Sequence, residues 1–129
     1  MKKLKNNTYL GIQYFVEFYD CDVEILNNSE SIQKIMSEAA LKANSTIVQQ
    51  FFHNFKPYGV SGTIVIAESH LNIHTWPEHG YAAVDLFSCG HEIKGKAAIK
   101  YLKKELGSTH HSMKKKYRGQ LSKIYKNEG

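Results

Sequence analysis

Apolar and polar residues alternate with a period of two along much of this chain, and two stretches with helical spacing interrupt the alternation. Thr8–Tyr19 is rich in aromatic and β-branched residues and reads as a strand reaching at least Phe18. Asp20-Cys21-Asp22 follows as a turn. Ile32, Ile35, Met36, Ala39 and Ala43 then fall on one side of a helix over Ser31–Ala43, with Ser29 or Ser31 as its cap and Asn44 at its end. Strands follow over Ile47–Phe55, Val60–Ala67, Ser69–Thr75 and Tyr81–Ser88, with turns at Lys56–Gly59 and Pro77–Gly80. A second helix, from Ile93 or Lys94 to Leu106, carries Ala97, Ala98, Tyr101, Leu102 and Leu106 on its apolar side and ends at Gly107. Thr109–Tyr117 reads as a last strand, and the polar tail 118–129 is expected to be partly disordered. The order β-α-β-β-β-β-α-β predicts an α+β fold, a two-layer α/β sandwich with a largely antiparallel sheet and its helices on one face. The other sheet face then needs a cover, which a second copy of the chain can supply.

One stretch breaks the expectation that strands carry only core residues. Between Ser61 and His91, four His, Cys89, Glu68, Glu78 and Asp85 sit among residues that otherwise read as buried strand. Burying so many hydrogen-bonding groups costs free energy unless they are paired, so their concentration points to a site as well as a core. If Ser69–Thr75 is extended, Leu71, Ile73 and Thr75 share one side, and His70, Asn72 and His74 share the other. In the next strand Tyr81, Ala83, Asp85, Phe87 and Cys89 share a side, so the alternation permits His74 and Cys89 to reach a common pocket.

The run Glu68-Ser69-His70-Leu71-Asn72-Ile73-His74-Thr75-Trp76-Pro77-Glu78-His79-Gly80-Tyr81-Ala82-Ala83-Val84-Asp85, followed by Cys89-Gly90 and preceded by Gly59-Val60-Ser61-Gly62, closely resembles the self-cleavage segment of the prokaryotic S-adenosylmethionine decarboxylases. The resemblance extends from about Tyr9 to about Gly107 and implies a proenzyme that cuts itself between Glu68 and Ser69 into residues 1–68 and 69–129. It implies that Ser69 becomes a pyruvoyl group, the carbonyl electron sink that amino-acid decarboxylation requires. His74 would transfer a proton in the cleavage, Ser61 would polarise the scissile peptide, and Cys89 would reprotonate the α-carbon in turnover. Phe55 would stack on adenine, and Glu78 would accept from the ribose hydroxyls. The substrate implied is S-adenosylmethionine, the product feeds polyamine synthesis, and the site is shared across a homodimer. Trp76 adds an aromatic face for the adenosine or the sulfonium. Relatives often have Gly-Arg-His near the start of the first strand, where this chain has Gly11-Ile12-Gln13.

Composition narrows the remaining classes. At 129 residues the chain is expected to form one domain over 1–129. The net charge of +5 gathers at the ends, in Lys2, Lys3 and Lys5 and again in Lys114–Lys116, Arg118, Lys123 and Lys126. Without interleaved aromatics to stack bases, these residues read as solvated termini, and no nucleic-acid partner is expected. No apolar run approaches the ~18 residues of a membrane span, and no secretory signal is visible. Cys21 and Cys89 make no disulfide framework, so a reduced thiol in the cytoplasm is the expectation.

Four rivals remain. A metal centre is not expected, because His70 and His74 on one strand lie roughly 13 Å apart. A cysteine hydrolase of Cys89 and His74 lacks a recognisable nucleophile setting. The nearer rivals keep the scaffold: a pyruvoyl enzyme acting on arginine or ornithine, or a non-catalytic homologue.

Overall fold

The computed structural model describes residues 9–67, 69–89 and 94–125. Six strands form one antiparallel sheet: β1 (Tyr9–Tyr19), β2 (Ile47–Asn54), β3 (Val60–Ile66), β4 (Ser69–Trp76), β5 (Tyr81–Cys89) and β6 (His110–Gln120). Their order across the sheet is β2-β3-β4-β5-β1-β6, so the chain meanders from β2 to β5 while β1 closes against β5 and β6. Among the described residues four α-helices accompany the sheet: α1 (Val23–Leu26), α2 (Ser29–Lys42), α3 (Gly95–Glu105) and α4 (Leu121–Ile124). Among the described residues no helix is long and apolar enough to cross a membrane.

The predicted α+β sandwich is the fold observed, and alternation explains its two unlike faces. Val16 and Phe18 of β1, Val60, Ile64 and Ile66 of β3, Leu71 and Ile73 of β4, and Ala82, Val84 and Leu86 of β5 are buried beneath the helices. They meet Ile32, Met36, Ala39 and Ala40 of α2 and Ala98, Ile99 and Leu102 of α3 in one core. Residues of opposite parity form a face that none of the described helices covers, and on it stand Phe15, Phe51, Val65 and Trp76, each more than a third exposed.

Several local readings are corrected. The turn after β1 leads into a short helix, because Asp22 caps α1 by accepting from the amides of Glu24 and Ile25. The cap of α2 is Asn28, whose side chain accepts from Ser31 N at 3.0 Å, and not a serine. Asn44 does terminate that helix, at φ 65°. The last strand continues to Gln120 and a helical turn follows, where the sequence reads as polar tail. The start of α3 matches Lys94 within a residue, and Gly107 takes the left-handed conformation expected of a helix end, at φ 70°.

Ile73 is fully buried beneath the strand positions that carry Asn72 and His74 on the open face. Ile73→Ala is expected to lose about 2–5 kcal/mol of stability, measured by denaturant unfolding of the uncut chain.

Candidate active site

At one end of the open face, β2, β3 and β4 bring His53, Ser61 and His74 into one row of the ladder. Ser61 Oγ and His74 Nδ1 lie 2.8 Å apart, a hydrogen bond that orients the imidazole and leaves Nε2 for other partners. Buried bonds fix this end of the sheet. Thr75 Oγ1 accepts from Val60 N at 2.9 Å and donates to Leu26 O at 2.8 Å, tying the start of β3 to the end of β4. The loop after β2 is held by Asn27, which accepts from Gly59 N at 2.9 Å, and by Asn54, which donates to Gly59 O at 3.1 Å. Gly59 suits that loop because its φ is 107°, where a side chain would be strained. Phe55 N donates to Gly59 O at 2.7 Å, which places the Phe55 ring edge-on to His53 with centroids 4.6 Å apart.

These residues border a concavity of about 450 Å³, lined by Phe51, His53, Phe55, Ser61, Thr63 and His74 among others. Its walls combine exposed aromatic rings with a few polar groups, the usual character of a small-molecule site. Trp76 lies beside it, its ring 6.4 Å from that of His74 and 5.3 Å from that of Tyr81. Glu78, itself exposed, follows in the 3₁₀ turn Pro77–His79, whose Pro77 is buried.

The other end of the sheet carries Ser69 and Cys89. Ser69 opens β4 opposite Ser88, and Cys89 ends β5 opposite Gly11. Both are half-buried. Glu68, the other half of the expected scissile bond, lies outside the described residues, as does His91. The alternation correctly puts His74 and Cys89 on the same face, but it does not bring them together. His74 pairs with Ala83, six positions before Cys89, and Ser69 is five positions before His74 on the same strand. At ~3.3 Å per residue Ser69 and His74 are roughly 16 Å apart within one chain, far beyond proton-transfer reach. One chain therefore holds two candidate half-sites at opposite ends of the sheet, Ser61 with His74 and Ser69 with Cys89. Cys89 stands on the open face, whereas Ser69, paired with the buried Ser88, has the parity of the covered side.

Between them runs a polar network that pattern reading did not single out. Asp85 Oδ2 accepts from Gln13 Nε2 at 3.2 Å, from Asn72 Nδ2 at 3.4 Å and meets His70 Nε2 at 3.3 Å. Arg118 donates to Gln13 Oε1, and Thr63 donates to Asn72 Oδ1. The network crosses five strands, so only the pairing of distant segments reveals it. A lone Asn or Gln gave no signal in the sequence, although Asp85 within an apolar strand did.

The two thiols differ in exposure, Cys21 being buried and Cys89 half-buried. Burial is the main cause that pushes the Cys21 thiol up to about 11, and Cys21 is sealed in the core. Burial, then donation to Glu17, likewise pushes the Tyr81 hydroxyl up to about 12 and keeps it a donor. Among the described residues no cluster of His, Cys, Asp or Glu is arranged to hold a metal ion.

Comparison with known proteins identifies the family. The family model described as S-adenosylmethionine decarboxylase matches residues 12–119. An S-adenosylmethionine decarboxylase proenzyme of Thermosipho melanesiensis is 53% identical over 115 residues, 89% of this chain and 88% of the relative. One of Acidithiobacillus ferrooxidans is 51% identical over 112 residues, 87% of this chain and 84% of the relative. The crystal structure of the adenosylmethionine decarboxylase from Aquifex aeolicus superposes with a TM-score of 0.80 at 31% identity, covering 87% of this chain and 92% of that one. With a family model spanning most of its length and relatives at about half identity, the chain belongs to the S-adenosylmethionine decarboxylase family.

Proposed function

We propose that the chain is a self-processing decarboxylase of S-adenosylmethionine whose active sites are each built from two copies of the chain. The separation of Ser69 and Cys89 from Ser61 and His74 carries this reading. A second copy, turned so that its open face meets the first, brings the missing half-site within reach. The exposed apolar residues on that face supply the driving force for such packing.

Self-cleavage begins with attack of Ser69 Oγ on the Glu68 carbonyl carbon, which turns the amide into an ester. The partner's Ser61 holds the carbonyl, and the partner's His74, oriented through Nδ1, takes the Ser69 α-proton at Nε2. The Ser69 Cβ–O bond then breaks, Glu68 leaves as the carboxylate end of residues 1–68, and the dehydroalanine left at 69 hydrolyses to a pyruvoyl group and ammonia. Ser69 suits this role because it opens a strand, half-buried, with Cys89 on the neighbouring strand.

A pyruvoyl carbonyl supplies the electron sink for the pair left as CO₂ departs. Cys89 holds the proton that is delivered to the α-carbon afterwards. Phe55 and Trp76, both exposed rings beside the concavity, offer stacking surfaces for adenine and for the sulfonium. Glu78, exposed in its turn, accepts from the ribose hydroxyls.

Intact-mass measurement should find two chains, 1–68 and 69–129, the second without an ordinary amino terminus, and a single uncut chain for Ser69→Ala. Carboxyl-labelled S-adenosylmethionine should release CO₂, while arginine and ornithine should not. An uncut wild-type chain, or release from arginine, contradicts the reading. Because the raised thiol of Cys21 carries little thiolate at pH 8, an alkylating reagent should modify Cys89 and spare Cys21, as read by peptide mass. The same alkylation should abolish turnover in the processed enzyme. Labelling of Cys21 at an equal rate contradicts its burial.

A further inference from the structure

The two half-sites also fix where one copy must lie on the other. Two sheets that stack face to face through a two-fold axis have that axis between them and parallel to both. To bring the Ser69 end of β4, with Cys89 on the open face beside it, to the partner's His74, and the reverse, the axis must run across the strands at the level midway between positions 69 and 74. On β4 that level lies between Leu71 and Asn72. The ladder continues it as one row of open-face residues: Thr63 pairs with Asn72, Asn72 with Asp85, and Asp85 with Phe15. The neighbouring open-face row holds His70, Phe87 and Gln13.

We propose that the cluster of Asp85, Asn72, His70 and Gln13 straddles the two-fold axis of the dimer and sets the register in which the two sheet faces meet. This inference rests on the shared-site reading above. It identifies the positioning residues that make the shared site geometrically possible.

The chemistry of the cluster suits that position. Phe15, Phe51, Val65 and Trp76 give the open face adhesive surface without direction, because apolar contact tolerates sliding. Asp85 is different. Three side-chain nitrogens converge on one of its carboxylate oxygens, with His70 also stacked on Phe87 at 5.6 Å between ring centroids. The Asp85 and His70 side chains retain 25% and 37% of their accessibility in one copy, so water still reaches them. A covering copy removes that water, and each polar group must then find a matched partner or bear the cost of burial. A slide by one ladder position sets the carboxylate against apolar neighbours. Registers in which cluster meets cluster are thereby selected, and the same registers bring the Ser69 end of β4 to the partner's His74. The guanidinium of Arg118, held on Gln13, supplies positive charge beside two carboxylates that approach across the axis.

Axis residues are distinguishable from others by their distance to their own copy. In a Cys89→Ala background, Phe15→Cys lies on the axial row and Tyr19→Cys lies four positions farther along the same strand. A displacement of that size puts two copies of residue 19 roughly 25–30 Å apart. A bismaleimide spanning about the sheet separation of ~10 Å should therefore join Phe15→Cys copies into a covalent dimer and leave Tyr19→Cys unjoined. Adding Asp85→Asn, which replaces an acceptor of several donors by an amide of similar size, should retain the dimer mass, lower the Phe15→Cys cross-link yield and slow self-cleavage at least tenfold. In that case Asp85 acts through register and not through folding. A self-cleaving dimer that cross-links at Tyr19→Cys and not at Phe15→Cys overturns the axial placement. Unchanged cross-linking and cleavage in Asp85→Asn overturn the registering role. A monomer that cleaves itself overturns the shared-site reading on which both depend.

Discussion

A strand presents its side chains alternately to two sides, and a six-stranded sheet with helices on one side must leave the other bare. That constraint organises this chain. Every second residue of β3, β4 and β5 is committed to the core, and the residues between are free to carry chemistry. Ser61, His74, Asn72, Asp85 and Cys89 all belong to the second set. The same alternation that gives the protein a core thus gives it a flat working surface of polar groups set among exposed rings.

A flat surface is a poor place for chemistry that must exclude water and hold a substrate on several sides. Stacking two such surfaces turns shallow concavities into enclosed ones. On the shared-site proposal a proenzyme gains further, because the nucleophile and the groups that assist it would belong to different copies. Processing would then wait until the second copy has arrived.

Most of the fold was legible because the core obeys simple periods. β1 through β5 and both long helices fall within two residues of where apolar spacing puts them. The misses have local causes. α1 is a single turn, too short for any periodic signal, and it exists because Asp22 caps it. β6 carries Lys114, Lys115 and Lys116 in a row and hid its last residues, because every one of its positions is exposed at the sheet edge. The residues of the two proposed half-sites could be singled out only jointly. Ser61, His74 and Cys89 are each unremarkable alone, and their order and spacing carried the resemblance. What no spacing could reveal was the distance between the half-sites, since alternation reports the side a residue faces and not its position along the strand. Ladder register supplied that information, together with the Asp85 network, whose members are drawn from five strands.

The sharing of one site between two copies is tested most directly by co-expressing Ser69→Ala with His74→Ala and weighing the chains. A site assembled across the pair lets the His74→Ala chain, which keeps its serine, use the histidine of its Ser69→Ala partner. Cleavage of the His74→Ala chain alone, and only in the mixture, is the expected result. Absence of cleavage in mixed dimers of confirmed composition would show that each chain must supply its own histidine, and the two half-sites would have to be joined in some other way.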